Sequence, residues 1–218
     1  MNKQNNKQKA FTLAEILIAL TIIGVIAAIT VPALIQRTQK QEYVSALKKA
    51  YSTLSQAANQ IIAENGSPKC DDAGWACSSE EVYSMFKKYL IDAKDCGSGT
   101  GCFPPEGHQV LDSNTVYTYD NSAKNPKLVL SDGSLILFSS VIYKDCTGSW
   151  GGSINPCTRI WVDINGIKKP NKYGRDYFGF TLKENGLYPN GCDDESFCPG
   201  EKGVGCACKV LREGKMDY

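Results

Sequence analysis

The chain has 218 residues, 42% of them hydrophobic, with a formal net charge of +1. That is room for one globular domain plus a membrane segment, and the balanced charge gives no sign of a nucleic-acid groove. Ten cysteines, all beyond residue 69, point to an oxidising compartment for that part of the chain.

The N-terminus reads MNKQNNKQKA, a polar leader with Lys3, Lys7 and Lys9 and no acid. Phe11 to Ile35 follows as a hydrophobic run whose single charge is Glu15. As a helix it spans roughly 37 Å, enough to cross a hydrocarbon core of about 30 Å with some tilt. Lysines before the run predict a cytoplasmic N-terminus, so the chain after Ile35 lies across the membrane. A secretory signal fits poorly, because its apolar region is only about 7–15 residues long and a Glu inside it is unexpected. A plain anchor fits the length but leaves Glu15 unexplained: a membrane-embedded charge costs on the order of 2.5–3.5 kcal/mol at the bilayer centre, and it asks for a partner.

The stretch Lys9-Ala10-Phe11-Thr12-Leu13-Ala14-Glu15, continued by ILIALTIIGVIAAITVPAL, resembles the N-terminus of type IV prepilins and type II secretion pseudopilins. The resemblance implies cleavage between Ala10 and Phe11 by a prepilin peptidase, with N-methylation of Phe11. Glu15 takes the place of the family's assembly glutamate, and Pro32 that of its helix-kinking proline. One position departs, Ala10 standing where the family usually has Gly. The implied partners are the peptidase, other copies of the chain or other pilins, the inner-membrane platform with its assembly ATPase, and the lipid bilayer. The implied location is a single-pass inner-membrane protein with a periplasmic C-terminal domain, later part of a periplasmic pseudopilus or a surface pilus.

After Ile35 the pattern turns amphipathic without a break. Val44, Leu47, Tyr51, Leu54, Ala58 and Ile61 recur at steps of three or four. Asn65-Gly66-Ser67-Pro68 is the first stop, so Phe11 to Glu64 reads as one helix, loosened at Gly24 and kinked by Pro32 near Ala28. The expected divisions are a leader at 1–10, a membrane segment at 11–35, its amphipathic continuation at 36–64 and a cysteine-rich head at 65–218.

Within the head, Ser78-Ser79-Glu80-Glu81 is a capping-box pattern that opens a short helix to about Leu90. Asp95 to Gly107 reads as loop. Strands are expected at Thr115–Tyr119, Lys127–Ser131, Ser134–Ile142, Arg159–Ile164 and Tyr177–Leu182, with Asp132-Gly133 as a hairpin turn. From Asn185 onward the chain reads as crosslinked loop. The sum is an α+β fold, an antiparallel sheet laid on the apolar stripe of the long helix. The pilin family has that architecture by resemblance.

Disulfides are the first reading of the cysteines. Cys70 and Cys77, Cys96 and Cys102, and Cys146 and Cys157 are close in sequence, while Cys192, Cys198, Cys206 and Cys208 cluster at the end. Cys206 and Cys208 should each reach back to Cys192 or Cys198. Zinc on these last four is the rival, but their spacing lacks the paired C-x₂₋₄-C of structural zinc sites.

Asp163, Asn165 and Asp176 lie in a stretch of oxygen-bearing side chains and turn glycines, where calcium competes with plain Asn-Gly turns. Some pseudopilins this chain resembles hold calcium in a C-terminal loop. Asp193, Asp194 and Glu195 are a weaker second set, and no other cofactor is expected. His108 is the only histidine and is placed in a loop beside Gly107; alone it supports neither a multi-histidine metal site nor catalysis. Trp75, Trp150 and Trp161 with eleven tyrosines could pack a core or form a binding surface.

Two classes of function remain. One is a filament subunit, pilus or pseudopilus, that performs no chemistry. The other is a membrane-anchored extracytoplasmic binding or enzyme domain, which needs a convergent polar set that the sequence does not display.

Overall fold

The computed structural model of the chain describes residues 12–66, 78–91, 93–142 and 146–218. It divides into two compact units, Met1–Lys40 and Gln41–Tyr218. Helix α1 runs from Leu13 to Asn65, and its helical assignment is unbroken at Gly24 and Pro32. It stops where Gly66 takes φ 75° and donates its N–H to the Ile62 carbonyl at 2.7 Å, a left-handed stop that glycine enters at little cost.

In the second unit, α1 turns one stripe inward. Val44, Leu47, Ala50, Leu54, Ala57, Ala58 and Ile61 are buried, at steps of three or four apart from the adjacent Ala57 and Ala58. Helix α2, Ser79–Tyr89, adds Val82, Tyr83 and Phe86 to the same core. Its capping box is formed: the Ser78 hydroxyl accepts the Glu81 N–H, and the Glu81 carboxylate accepts the Ser78 N–H.

Six strands make the main sheet: β1 Lys94–Gly97, β4 Lys127–Val129, β5 Leu135–Ile142, β8 Thr158–Asp163, β9 Tyr177–Lys183 and β10 Gly186–Pro189. They stand in the order β1-β4-β5-β8-β9-β10, each neighbouring pair antiparallel. Two small ribbons lie apart from it, β2 His108–Gln109 with β3 Val116–Tyr117, and β6 Ser149–Trp150 with β7 Ser153–Ile154. The β4–β5 turn closes with the Gly133 N–H on the Leu130 carbonyl, Gly133 holding φ 87°.

Strand alternation divides the sheet's residues into two layers. Ile136, Phe138, Ile160, Val162, Phe178, Phe180 and Leu182 join the core with α1 and α2. The intervening Leu135, Leu137, Trp161 and Tyr177 join a second cluster with Phe103, Val110 and Tyr173. Gly179 serves this second layer: a Cβ there would lie 2.9 Å from the Trp161 ring and 2.3 Å from the Asn190 amide.

Several expectations need correction. Lys94–Gly97, read largely as loop, is strand β1. His108, also read as loop, lies on strand β2 and is buried. The segment after Asn185 holds β10, two short 3-10 turns and helix α3, Cys206–Glu213. Helix α3 is short and opens on cysteines, so its sequence carries little periodicity; two disulfides hold it, and Ala207 and Val210 bury into the core. The β3 strand is shorter than the expected Thr115–Tyr119.

Candidate assembly site

The start of α1 is where the sequence concentrates its signals. Thr12 caps the helix: its hydroxyl accepts the Glu15 N–H at 3.2 Å, and one Glu15 carboxylate oxygen accepts both the Thr12 N–H and hydroxyl at 2.8 Å. This is the reciprocal S/T-x-x-E box, the same device as Ser78 with Glu81. Thr12-Leu13-Ala14-Glu15 carries this signal in the sequence, within a hydrophobic run where the charge of Glu15 is the more conspicuous feature. Glu15 thereby sits at the positive end of the helix, with its carboxylate on the Thr12 N–H, a donor the helix itself leaves unpaired.

Beyond the cap, every large apolar side chain from Leu13 to Ile35 is exposed, from 45% at Ile16 to 78% at Leu13. The best 18-residue window of α1 has a mean hydropathy of 2.6 and none of it is buried. A helix that is apolar all round belongs in lipid or among other helices, not in water. Its hydroxyls are satisfied within the helix, Thr21 donating to the Leu17 carbonyl at 2.8 Å and Thr30 to the Ile26 carbonyl at 2.9 Å. Around Gly24 a Cβ would meet nothing within 4 Å, so no contact among the described residues accounts for that glycine. Ala10 and Phe11, the expected cleavage pair, and likewise Trp75, Cys70 and Cys77, lie outside the described residues.

The head is crosslinked by Cys96–Cys102, Cys146–Cys157, Cys192–Cys208 and Cys198–Cys206, and among the described residues no cysteine is free. Cys206 and Cys208 each reach back, as their spacing requires, and the two bridges cross-tie the turn of residues 192–198 to the first turn of α3.

The structure places Asp163 and Asp176 near each other but engages their oxygens internally. Asp163 Oδ2 lies 2.8 Å from His108 Nε2, and its Oδ1 accepts the Asn165 N–H at 3.1 Å. Asp176 accepts the Asn171 and Lys172 N–H groups at 2.8 and 2.6 Å. The Asn165 amide donates to the Tyr43 hydroxyl and the Lys169 carbonyl, fastening this loop to α1. Among the described residues no three His, Cys, Asp or Glu side chains gather as a metal site.

His108 and Asp163 are 1% and 0% exposed. Burial pushes Asp163 up to about 8 and His108 down to about 4. Near neutral pH the pair is uncharged, with one proton held between Oδ2 and Nε2. Burial, then the proximity of Asp163, pushes Asp176 up to about 7. The His108 ring stacks on Tyr177 at 3.8 Å, sealed from any substrate, so the pair fastens β2 to the sheet rather than doing chemistry. Sequence reasoning missed this link because the partners are 55 residues apart.

Compared with known families, residues 5–31 match the model described as the Prokaryotic N-terminal methylation motif. No curated protein and no solved structure matches the chain. The match takes in the leader's end, the Ala10-Phe11 junction, Glu15 and Gly24, and stops one residue before Pro32. It is the mark of a structural pilin type rather than of an enzyme class, and it coincides with the capped apolar half of α1. The chain carries, at residues 5–31, the signature of the type IV prepilins and pseudopilins.

Proposed function

We propose that the chain is a structural subunit of a type IV pilus or a type II secretion pseudopilus, cut by prepilin peptidase between Ala10 and Phe11 and assembled through α1. The observation that carries this reading is the exposed apolar surface of Leu13–Ile35 joined to a single carboxylate at Glu15. Before assembly the lipid covers that surface, and the head lies in the oxidising periplasm, where its disulfides persist. After processing, the Phe11 amine is positive. In the growing filament, Glu15 of an incoming subunit pairs with the Phe11 amine of its neighbour, which removes an uncompensated charge from lipid. The apolar helices then form the filament core, and the crosslinked heads coat it. The ATPase and membrane platform supply the energy, and this chain performs no reaction.

The test is the N-terminus of the mature protein. Intact mass and N-terminal analysis of chain from membranes should find N-methylated Phe11 as residue one. An uncut Met1, or a start after Ala33, contradicts the reading.

A further inference from the structure

On the side of the sheet that carries Trp161 and Tyr177 lie two hollows, of about 340 and 610 Å³. Trp150, Lys202 and Val204 line both, so the two adjoin as neighbouring lobes of a cleft that share these side chains. Each lobe falls in the size range of ligand sites.

The smaller lobe is walled by aromatic rings that hold one another in place. Trp150 meets Trp161 edge-on at 5.7 Å, Trp161 meets Tyr173 at 5.2 Å, and Tyr173 meets Tyr117 at 6.1 Å. The Arg159 guanidinium lies 3.9 Å from the centre of the Trp150 ring. Trp150 is only half-buried and Tyr117 is 36% exposed, so fixed aromatic surface faces the hollow. Polar side chains also line this lobe, among them Ser140 and Asn125, whose amide bridges the Ser122 hydroxyl and the Ser140 N–H. In the larger lobe Ser153 is 2% exposed and its hydroxyl makes no hydrogen bond.

We propose that this cleft binds a neutral oligosaccharide, with sugar rings against Trp150 and Tyr117 and the chain extending into the lobe of Ser153. A pyranose offers an apolar C–H face for an aromatic ring and a rim of hydroxyls for Ser, Asn and Tyr groups, which is the pattern the walls present. A nucleic acid would bring a phosphate with every unit, but the cationic groups on these walls are engaged within the protein, Arg159 on the Trp150 ring and Lys202 on the Tyr117 hydroxyl. Asp193, paired with Lys183, and Asp194 line the larger lobe. A peptide adding as a strand needs a free sheet edge, here β1 or β10, whereas the smaller lobe is built on side chains of the central strands β5 and β8. The inference goes beyond assembly and does not depend on it.

The experiment uses the full chain in a detergent without sugar head groups, titrated with maltohexaose, cellohexaose and chitohexaose, and followed by calorimetry and tryptophan fluorescence. At least one of these should bind one to one. Trp150→Ala should weaken that binding about tenfold, the scale of losing one aromatic stacking contact. Tyr117→Ser, at a 36% exposed position and with folding checked by near-UV circular dichroism, should weaken it about fivefold, and Ile91→Ser, outside the cleft, should not change it. A Glu15→Val chain, impaired in assembly, should bind as the parent does. The proposal is overturned if none of the three hexasaccharides binds, if binding survives both cleft variants, or if a dT6 oligonucleotide or a heparin hexasaccharide binds more tightly.

Discussion

From Leu13 to Ile35 no large apolar side chain of α1 is less than 45% exposed, whereas from Val44 to Ile61 one stripe of the same helix is buried. Backbone rules are identical in the two halves; what differs is the distribution of polar residues. The first half has apolar side chains on every face and needs lipid or neighbouring helices. In the second, Lys48, Lys49, Ser52 and Gln56 occupy the remaining faces, so the stripe is covered within the head, by the sheet, α2 and α3. One continuous element therefore serves two environments, and substitutions in its halves should report to different assays.

The largest contrast is expected on stability of the head. Leu54→Ala removes a fully buried side chain from the core and should cost about 2–5 kcal/mol. Ile23→Ala, at an exposed position, should leave head unfolding within about 0.5 kcal/mol of the parent. Denaturant unfolding of the full chain in detergent, followed by near-UV circular dichroism, compares the two. Equal effects would mean that the halves are not independent.

Next in size are the crosslinks, all of them described in the second unit. Replacing Cys192 and Cys208 together by Ser opens a loop of 16 residues and should cost about 3 kcal/mol. Alkylation of the folded, unreduced chain should label few or none of the ten cysteines, and labelling should rise after reduction. Full labelling without reductant would contradict the crosslinked head.

Smaller is the pH dependence of that unit. Asp163 and Asp176 are raised on folding, so their contribution is present below about pH 4 and is lost as pH rises through about 7 and about 8. His108 is lowered, so it works in the opposite direction between about 4 and 6.5 and offsets one of the two carboxylates there. Head stability should therefore decline from about pH 4 to 8, most steeply between 6.5 and 7. Asp163→Asn, whose amide can still donate to His108 Nε2, should flatten that profile. A profile that rises across the window would contradict the neutral buried pair.

Much of this comparison is legible in the sequence, because the amphipathic switch after Ile35 and the β-branched and aromatic runs on either side of Asp132-Gly133 are local patterns. What escaped is non-local or short. Strand β10 has four residues including Pro189, and α3 has eight, so neither builds a period before it ends. The second aromatic layer was hidden because Trp150, Trp161 and Tyr173 come together only once the strands and loops are arranged. His108 looked like a loop residue because its partner Asp163 is on another strand. The Thr12 cap was local and readable, and it changes how Glu15 is tested: the carboxylate has a place within its own helix as well as the one proposed in the filament.

The most direct measurement compares filament-associated with membrane-resident protein for the parent, Glu15→Val and Thr12→Val. Thr12→Val removes the capping hydroxyl, at about 1 kcal/mol, and keeps the carboxylate. Glu15→Val removes the carboxylate and makes the run more apolar, so membrane insertion should be retained. If Glu15 pairs with the neighbour's Phe11 amine, its loss leaves an amine uncompensated in lipid, at a cost of about a few kcal/mol at each subunit contact. The account predicts that Glu15→Val is processed and membrane-resident but scarce in filaments, while Thr12→Val assembles close to the parent level. An unchanged ratio for Glu15→Val, or an equal loss in both variants, would contradict it.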